Sequence, residues 1–218
     1  MECTGSNRTA GNYEKPMIRN IVFDLGNVLI SFKPADYMAI QGYPENLKNT
    51  FLNDVFRSEE WHMIDNGDLT TLEAVDRIAA RSSLKRDEIC EIFDLRTKIL
   101  LAIDSNIKVL PELKKQGFRL YFLSNFPSDI FDDVVAGNSF FKLFDGGIIS
   151  ARVGASKPRR RIYEILLEKY SLIPHECLFI DDLEPNVATA IDLGMTGIWL
   201  SDPLDLGKLI KEKLNSFQ

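Results

Sequence analysis

Short runs of aliphatic, aromatic and β-branched residues recur along this chain, and each stops at a polar side chain. Ile21-Val22-Phe23 runs into Asp24, Leu120-Tyr121-Phe122-Leu123 into Ser124-Asn125, and Cys177-Leu178-Phe179-Ile180 into Asp181-Asp182. Runs of this length, bounded by turn formers such as Gly26-Asn27, predict buried strands. Gly147-Ile148-Ile149-Ser150 and Gly197-Ile198-Trp199-Leu200 read the same way. Helical stretches separate them: through Val109, Leu110 and Leu113 to Gly117, around Asp129 to Val135, from about Arg159 to Tyr170, through Val187 and Ile191 to Gly194, and at the C-terminus. Such alternation predicts an α/β fold, a Rossmann-like parallel sheet with helices on both faces and right-handed crossovers. Open sheets of this kind bind ligands beyond the carboxyl ends of their strands, where these polar residues fall.

The rhythm is interrupted once. From Ser31 to about Asp104 there is no comparable strand run, and helical stretches take its place. One passes through Glu45 to Leu52, and a second begins at Thr70, where Thr70 and Glu73 form a capping-box pair ahead of Ala74, Val75 and Ile78. A third runs from Arg86 through Ile89, Ile92 and Phe93 towards Leu100. The expected organisation is a core from residues 17–32 and 105–218, with a small helical domain at 33–104 inserted after the first strand. Residues 1–16 are polar and lack the apolar centre of a signal peptide, so they read as a flexible extension.

Composition narrows the partners. The chain has 218 residues, 45% of them hydrophobic, enough for a sizeable core and an appended domain. Its net charge of −6 and pI of about 5.1 argue against a nucleic-acid footprint, so a small anionic ligand must be held by local cations. No stretch approaches the ~18 consecutive apolar residues of a membrane span. The 3 cysteines (Cys3, Cys90 and Cys177) are odd in number, widely spaced and without metal-ligand spacing. Reduced thiols in a cytoplasmic monomer or homodimer are the expectation.

The strand ends carry the chemistry. A carboxylate at the end of a buried strand, such as Asp24, is costly to desolvate unless a cation meets it. Asp181 and Asp182 lie side by side, and a divalent cation is the usual answer to such repulsion. Ser124 and Asn125 read either as a turn or helix cap, or as donors to an oxyanion. Lys157-Pro158 leads into Arg159-Arg160-Arg161 at a helix start, where cations oppose the helix dipole. The arginines read as a solvated face, and Lys157 is the cation aimed at a phosphate.

In this order and context, Phe23-Asp24-Leu25-Gly26-Asn27-Val28, Leu123-Ser124-Asn125, Lys157-Pro158 and Phe179-Ile180-Asp181-Asp182 resemble the signatures of the haloacid dehalogenase superfamily of phosphoryl-transfer enzymes. The resemblance covers Ile18 to about Leu200, and the helical insertion is similar to the family's small cap domain. Its run Glu60-Trp61-His62-Met63-Ile64-Asp65-Asn66-Gly67-Asp68-Leu69-Thr70 looks like caps of the sugar-phosphate phosphatase branch, including bacterial glucose-1-phosphate phosphatases. The resemblance implies a phosphatase of small phosphorylated metabolites in which Asp24 is the nucleophile and becomes an aspartyl-phosphate. It implies Mg²⁺ held by Asp24, the Gly26 carbonyl and Asp182, with Asp181 as a second ligand or acting through water. Ser124, Asn125 and Lys157 would surround the phosphoryl group, and Asn186 would orient the loop or cap a helix.

One position departs from the pattern. Phosphatases of this family usually carry a second aspartate two residues after the nucleophile as general acid and base, and here that residue is Gly26. The loss leaves two rivals open. Metal-free 2-haloacid dehalogenases also lack that aspartate, although their first signature usually continues Tyr-Gly-Thr where this chain has Leu25-Gly26-Asn27. The other rival is a non-catalytic protein that binds phosphorylated metabolites. If the protein is a phosphatase, water, a substrate group or a cap side chain such as His62 must deliver the proton.

Overall fold

In a computed structural model, which describes residues 17–217, strand β1 (Asn20–Phe23) is followed by β2 (Ile30–Phe32) and the helices α1 (Pro34–Ile40) and α2 (Glu45–Phe51). A π-helical turn, Leu52–Phe56, leads to α3 (Glu59–Asn66), α4 (Thr71–Arg81), α5 (Arg86–Asp94) and α6 (Arg96–Ile99), and β3 (Leu100–Ala102) returns the chain to the core. The core continues with α7 (Asp104–Ile107), α8 (Val109–Lys115), β4 (Arg119–Ser124), α9 (Ser128–Gly137) and β5 (Gly146–Ile149). It ends with α10 (Arg160–Tyr170), β6 (Cys177–Asp181), α11 (Glu184–Asp192), β7 (Thr196–Trp199) and α12 (Leu206–Asn215). The expected extension at residues 1–16 lies outside the described residues.

The main sheet is parallel throughout, in the order β5-β4-β1-β6-β7. Its central strands are buried on both faces, and the side chains divide with the two-residue period of a strand. Ile21, Phe23, Leu120, Leu178 and Ile180 join Leu110 and Leu113 of α8, Phe131 and Val134 of α9, and Leu206 and Ile210 of α12. Val22, Tyr121, Leu123 and Phe179 face the other way, onto Ile162, Tyr163 and Leu166 of α10 and Val187 and Ala190 of α11. β5 must approach closely, because a Cβ at Gly147 would collide with the Phe122 ring. Central β1 therefore delivers Asp24, and its neighbours deliver Ser124 and Asp181, to one edge of the sheet.

The segment between β2 and β3 builds its own core. Met38, Phe51, Val55, Trp61, Ile64, Val75, Ile78, Ile89, Ile92 and Phe93 pack together there. The Thr70 capping box forms as read, with the Glu73 amide donating to Thr70 Oγ1 at 3.3 Å and the Thr70 amide donating to Glu73 Oε2 at 2.8 Å. A continuous helix towards Leu100 does not form, because α5 ends at Asp94 and Leu100 enters a strand. The expectation that no strand lies between Ser31 and Asp104 is also corrected: β2 and β3 pair antiparallel, Ile30 with Ala102 and Phe32 with Leu100. Each is only three residues long, too short to show a two-residue alternation in sequence. They pair because the chain leaves and re-enters the core at one place.

Candidate active site

Asp24 follows β1 directly. Its amide donates to the Ile180 carbonyl at 2.8 Å, and its Oδ1 accepts from the Leu25 amide at 2.7 Å. Lys157 reaches it from the loop before α10, with Nζ 2.8 Å from Asp24 Oδ1 and 2.6 Å from Asp181 Oδ2. All three side chains are buried. Burial alone would pull the Lys157 ammonium down, but the Asp24 and Asp181 carboxylates outweigh it and hold its pKa above the usual lysine value. Arg159, Arg160 and Arg161 are exposed, and Arg161 turns to Glu164 and Glu168.

The remaining residues divide into those that face the site and those that hold it. Ser124, the buried last residue of β4, lines the cavity, and its hydroxyl makes no hydrogen bond among the described residues. Asn125 also lines the cavity, but both ends of its amide are engaged with the Lys157 loop: Nδ2 donates to the Lys157 carbonyl at 3.0 Å, and Oδ1 accepts from the Lys157 amide at 2.8 Å. Its visible task is to fix the lysine. Asp181 Oδ1 accepts from the Leu183 amide and from Asn186 Nδ2, each at 2.9 Å, so Asn186 orients the acid and both Asp181 oxygens are occupied. Asn27 carries a positive φ of 51°, a conformation asparagine tolerates better than most residues. Its Nδ2 donates to Asp182 Oδ2 at 3.2 Å while its Oδ1 accepts from the Phe32 amide at 3.0 Å. In sequence Asn27 reads only as a strand breaker, since nothing in its spacing reveals the bond to Asp182.

Asp24, Asp181 and Asp182 each offer an oxygen within 4.8 Å of the others. Three carboxylates face one ammonium, and burial followed by the repulsion of Asp24 raises the Asp182 pKa. Asp24 Oδ2 and Asp182 Oδ1 accept no hydrogen bond among the described residues. Hard oxygen donors with uncompensated negative charge fit a divalent cation such as Mg²⁺. Gly26 lies beside them, and a Cβ there would meet nothing nearer than Asp24 Oδ2 at 4.0 Å.

These groups open into a cavity of about 290 Å³ roofed by the helical segment. Phe32, Trp61, Leu100, Phe126 and Ile130 supply an apolar wall. Trp61 is fixed by stacking on Phe32 and Phe93, with centroid distances of 5.7 and 5.6 Å. At the rim Arg96 donates to Asp129 Oδ2 at 2.7 Å and to Asp129 Oδ1 at 3.3 Å, tying α6 of the insert to α9 of the core. Thr71 Oγ1 donates to the same carboxylate at 2.6 Å. Sequence reasoning missed this triad because its members lie far apart along the chain and belong to no motif. His62 and Asp65 of α3 also line the cavity.

A buried carboxylate paired with a lysine at a strand end, beneath a helical insert, is an arrangement found in hydrolases. Residues 18–194 match the family model of haloacid dehalogenase-like hydrolases, and the chain belongs to that family. It is 30% identical over 183 residues to the sesquiterpene phosphatase astK of Aspergillus oryzae, covering 84% of this chain and 90% of the relative. Some longer relatives match over only part of their length, one over 34% and another over 18%. Among solved structures, the magnesium complex of a HAD family enzyme from Bacteroides thetaiotaomicron superposes with a TM-score of 0.65 at 24% identity, covering 84% of this chain and 92% of the other. An L-2-haloacid dehalogenase superposes with a TM-score of 0.70 at 19% identity, covering 91% and 99%. The two structures share the fold.

Proposed function

We propose that this protein is a Mg²⁺-dependent phosphatase that cleaves small phosphate monoesters through an aspartyl-phosphate on Asp24, and that the organic part of its substrate is largely apolar. The observation that carries the reading is the free Asp24 Oδ2 beside Lys157, facing a cavity whose far wall is Phe32, Trp61, Leu100, Phe126 and Ile130. Asp24 Oδ2 attacks phosphorus, the ester oxygen departs, and water then releases phosphate from Asp24. Lys157 and the Ser124 hydroxyl are the groups available to the phosphoryl oxygens. Asp24 and Asp182 with the Gly26 carbonyl would hold Mg²⁺, which would supply the charge neutralisation that a carboxylate needs to approach an anionic phosphate. Asp181 serves this set by holding Lys157.

The apolar wall supports a hydrocarbon chain over the polyhydroxylated sugar that the cap sequence suggests, and the name of the Aspergillus relative points the same way. Burying four methylenes is worth about 3 kcal/mol, or about 10²-fold in affinity. A phosphate monoester of a branched fifteen-carbon alcohol should therefore exceed glycerol phosphate in kcat/KM by about 10²-fold. Equal values for the two would remove the apolar-substrate reading.

The dehalogenase alternative keeps one observation in its favour, the glycine at position 26. Against it stand the three clustered carboxylates, which one lysine does not balance and which a metal-free dehalogenase would leave uncompensated, whereas a Mg²⁺-dependent phosphatase would not. Nitrophenyl phosphate and 2-chloropropionate, each assayed with Mg²⁺ and with excess chelator, separate the readings. The expected result is phosphate release that chelator abolishes and added Mg²⁺ restores, with no halide release. Halide release indifferent to chelator would overturn the phosphatase assignment.

A further inference from the structure

The reaction needs a proton for the departing oxygen, and Gly26 cannot supply one. The cavity contains one carboxyl that takes no part in the cluster around Lys157. Asp65 lies near the C-terminal end of α3, lines the cavity, and makes no side-chain hydrogen bond or ion pair among the described residues. Its position is fixed through the backbone. The Ser150 hydroxyl donates to the Asp65 carbonyl. Gly67, at φ 82°, ends the helix in a left-handed turn so close to Ala151 that a Cβ would lie 2.6 Å from the Ala151 carbonyl oxygen. Ser150 Oγ in turn accepts from the Phe126 amide at 2.9 Å, so the contact that seats Asp65 is continuous with the loop following Ser124.

The charged groups whose fields reach the Asp65 carboxyl are Arg96 of α6 and Asp129 of α9. Arg152 turns instead to Asp132, and Arg77 to Met63. Arg96 is the natural counter-ion, but its donors are committed to Asp129, Thr71 and the Phe93 carbonyl. Asp65 is thus a carboxyl held in a cleft whose one nearby cation is already paired. Burial pushes its pKa up to about 8, with Asp129 adding to the rise and Arg96 opposing it. At neutral pH such a group carries a proton, and it lines the same cavity as Asp24 and Lys157. His62, the other titratable candidate on α3, is exposed.

Building on the phosphatase reading, we infer that Asp65 of the helical insert is the general acid and base of the reaction, standing in for the aspartate absent at Gly26. As the P–O bond to the alcohol breaks and the bond to Asp24 forms, the Asp65 carboxyl passes its proton to the ester oxygen and the alcohol leaves neutral. In the second half the Asp65 carboxylate takes a proton from the attacking water, phosphate leaves Asp24, and Asp65 is again protonated. Proton donation of this kind is worth about 10²–10⁴-fold when the leaving group is basic and little when it is a stable anion.

The test compares octyl phosphate with nitrophenyl phosphate in single turnover, in the wild type and in Asp65→Asn. The substitution keeps shape and removes the proton. The expected result is a fall of about 10²-fold or more on octyl phosphate and less than about threefold on nitrophenyl phosphate. The wild type should also lose its rate on octyl phosphate above pH of about 8, a limb absent from Asp65→Asn. Equal falls on both esters, no fall on either, or a larger fall for His62→Ala on octyl phosphate would each overturn the assignment. Wild-type protein inert towards both esters would overturn the phosphatase reading, and this one with it.

Thermal melts give a readout apart from turnover. The folded state holds the Asp65 proton from the ordinary value of 3.8 up to about 8, while the unfolded chain releases it near the former. Folded protein therefore binds more protons in that window, and stability falls as pH rises through it. Asn does not titrate, so Asp65→Asn should gain Tm over the wild type progressively from pH 5 to pH 8. Parallel curves would mean that the carboxyl is ionised, and the inference would fail.

Discussion

Asp24→Asn is expected to lower phosphate-ester turnover by about 10⁴-fold or more, because in the proposed mechanism it removes the nucleophile and not merely a contact to it. The amide keeps the size of the carboxylate and its Oδ1 still accepts from the Leu25 amide, so the fold should persist. The measurement is single-turnover phosphate release, with mass spectrometry of acid-quenched wild-type protein to find the phosphate adduct. A variant retaining a tenth of the wild-type rate would remove Asp24 from the nucleophile's place.

Lys157→Ala should have the second largest effect, and it should act on stability and activity together. The ammonium lies 2.8 Å from Asp24 and 2.6 Å from Asp181, with all three groups buried. Removing one partner of a buried ion pair typically costs about 3–5 kcal/mol, because the other charges are left without compensation. Added Mg²⁺ should recover part of the lost Tm by neutralising the same carboxylates, while turnover stays at least about 10²-fold below wild type. Near-normal kinetics would place the lysine outside the chemistry. Melting curves with and without Mg²⁺, run beside the kinetics, separate the two effects.

Those two residues were legible in the sequence because each is tied to a strong local signal. Asp24 ends an apolar run that reads as a buried strand, and Lys157 precedes a proline and a helix start. The parallel core was legible for the same reason, since β1, β4 and β6 are continuous apolar runs separated by amphipathic helices. What escaped were features made by pairing across long separations. β2 and β3 are each too short to show a period. Asn27 is bound to Asp182, and Arg96 to Asp129, by contacts that no spacing announces. Asp65 stood inside a run that resembles known caps, yet its meaning depends on Arg96 being already engaged, a property of three dimensions alone. Asn125, which in sequence reads either as a cap or as an oxyanion donor, lines the cavity while both ends of its amide brace the Lys157 loop, a bond that its spacing does not reveal.

The β2–β3 ribbon has a consequence for how such a chain can diversify. By bringing Phe32 and Leu100 side by side, it presents the whole helical insert to the core as though it were one hairpin loop. Closing a longer loop on a fixed base adds only about 0.6 kcal/mol per doubling of its length, so the base tolerates inserts of many sizes. Lineages can therefore exchange or remodel the roof, and with it the shape and polarity seen by the organic half of a substrate, without moving Asp24 relative to Lys157. If Asp65 supplies the proton, this modularity has a limit: an exchanged roof must bring its own acid, or the core must regain one at position 26.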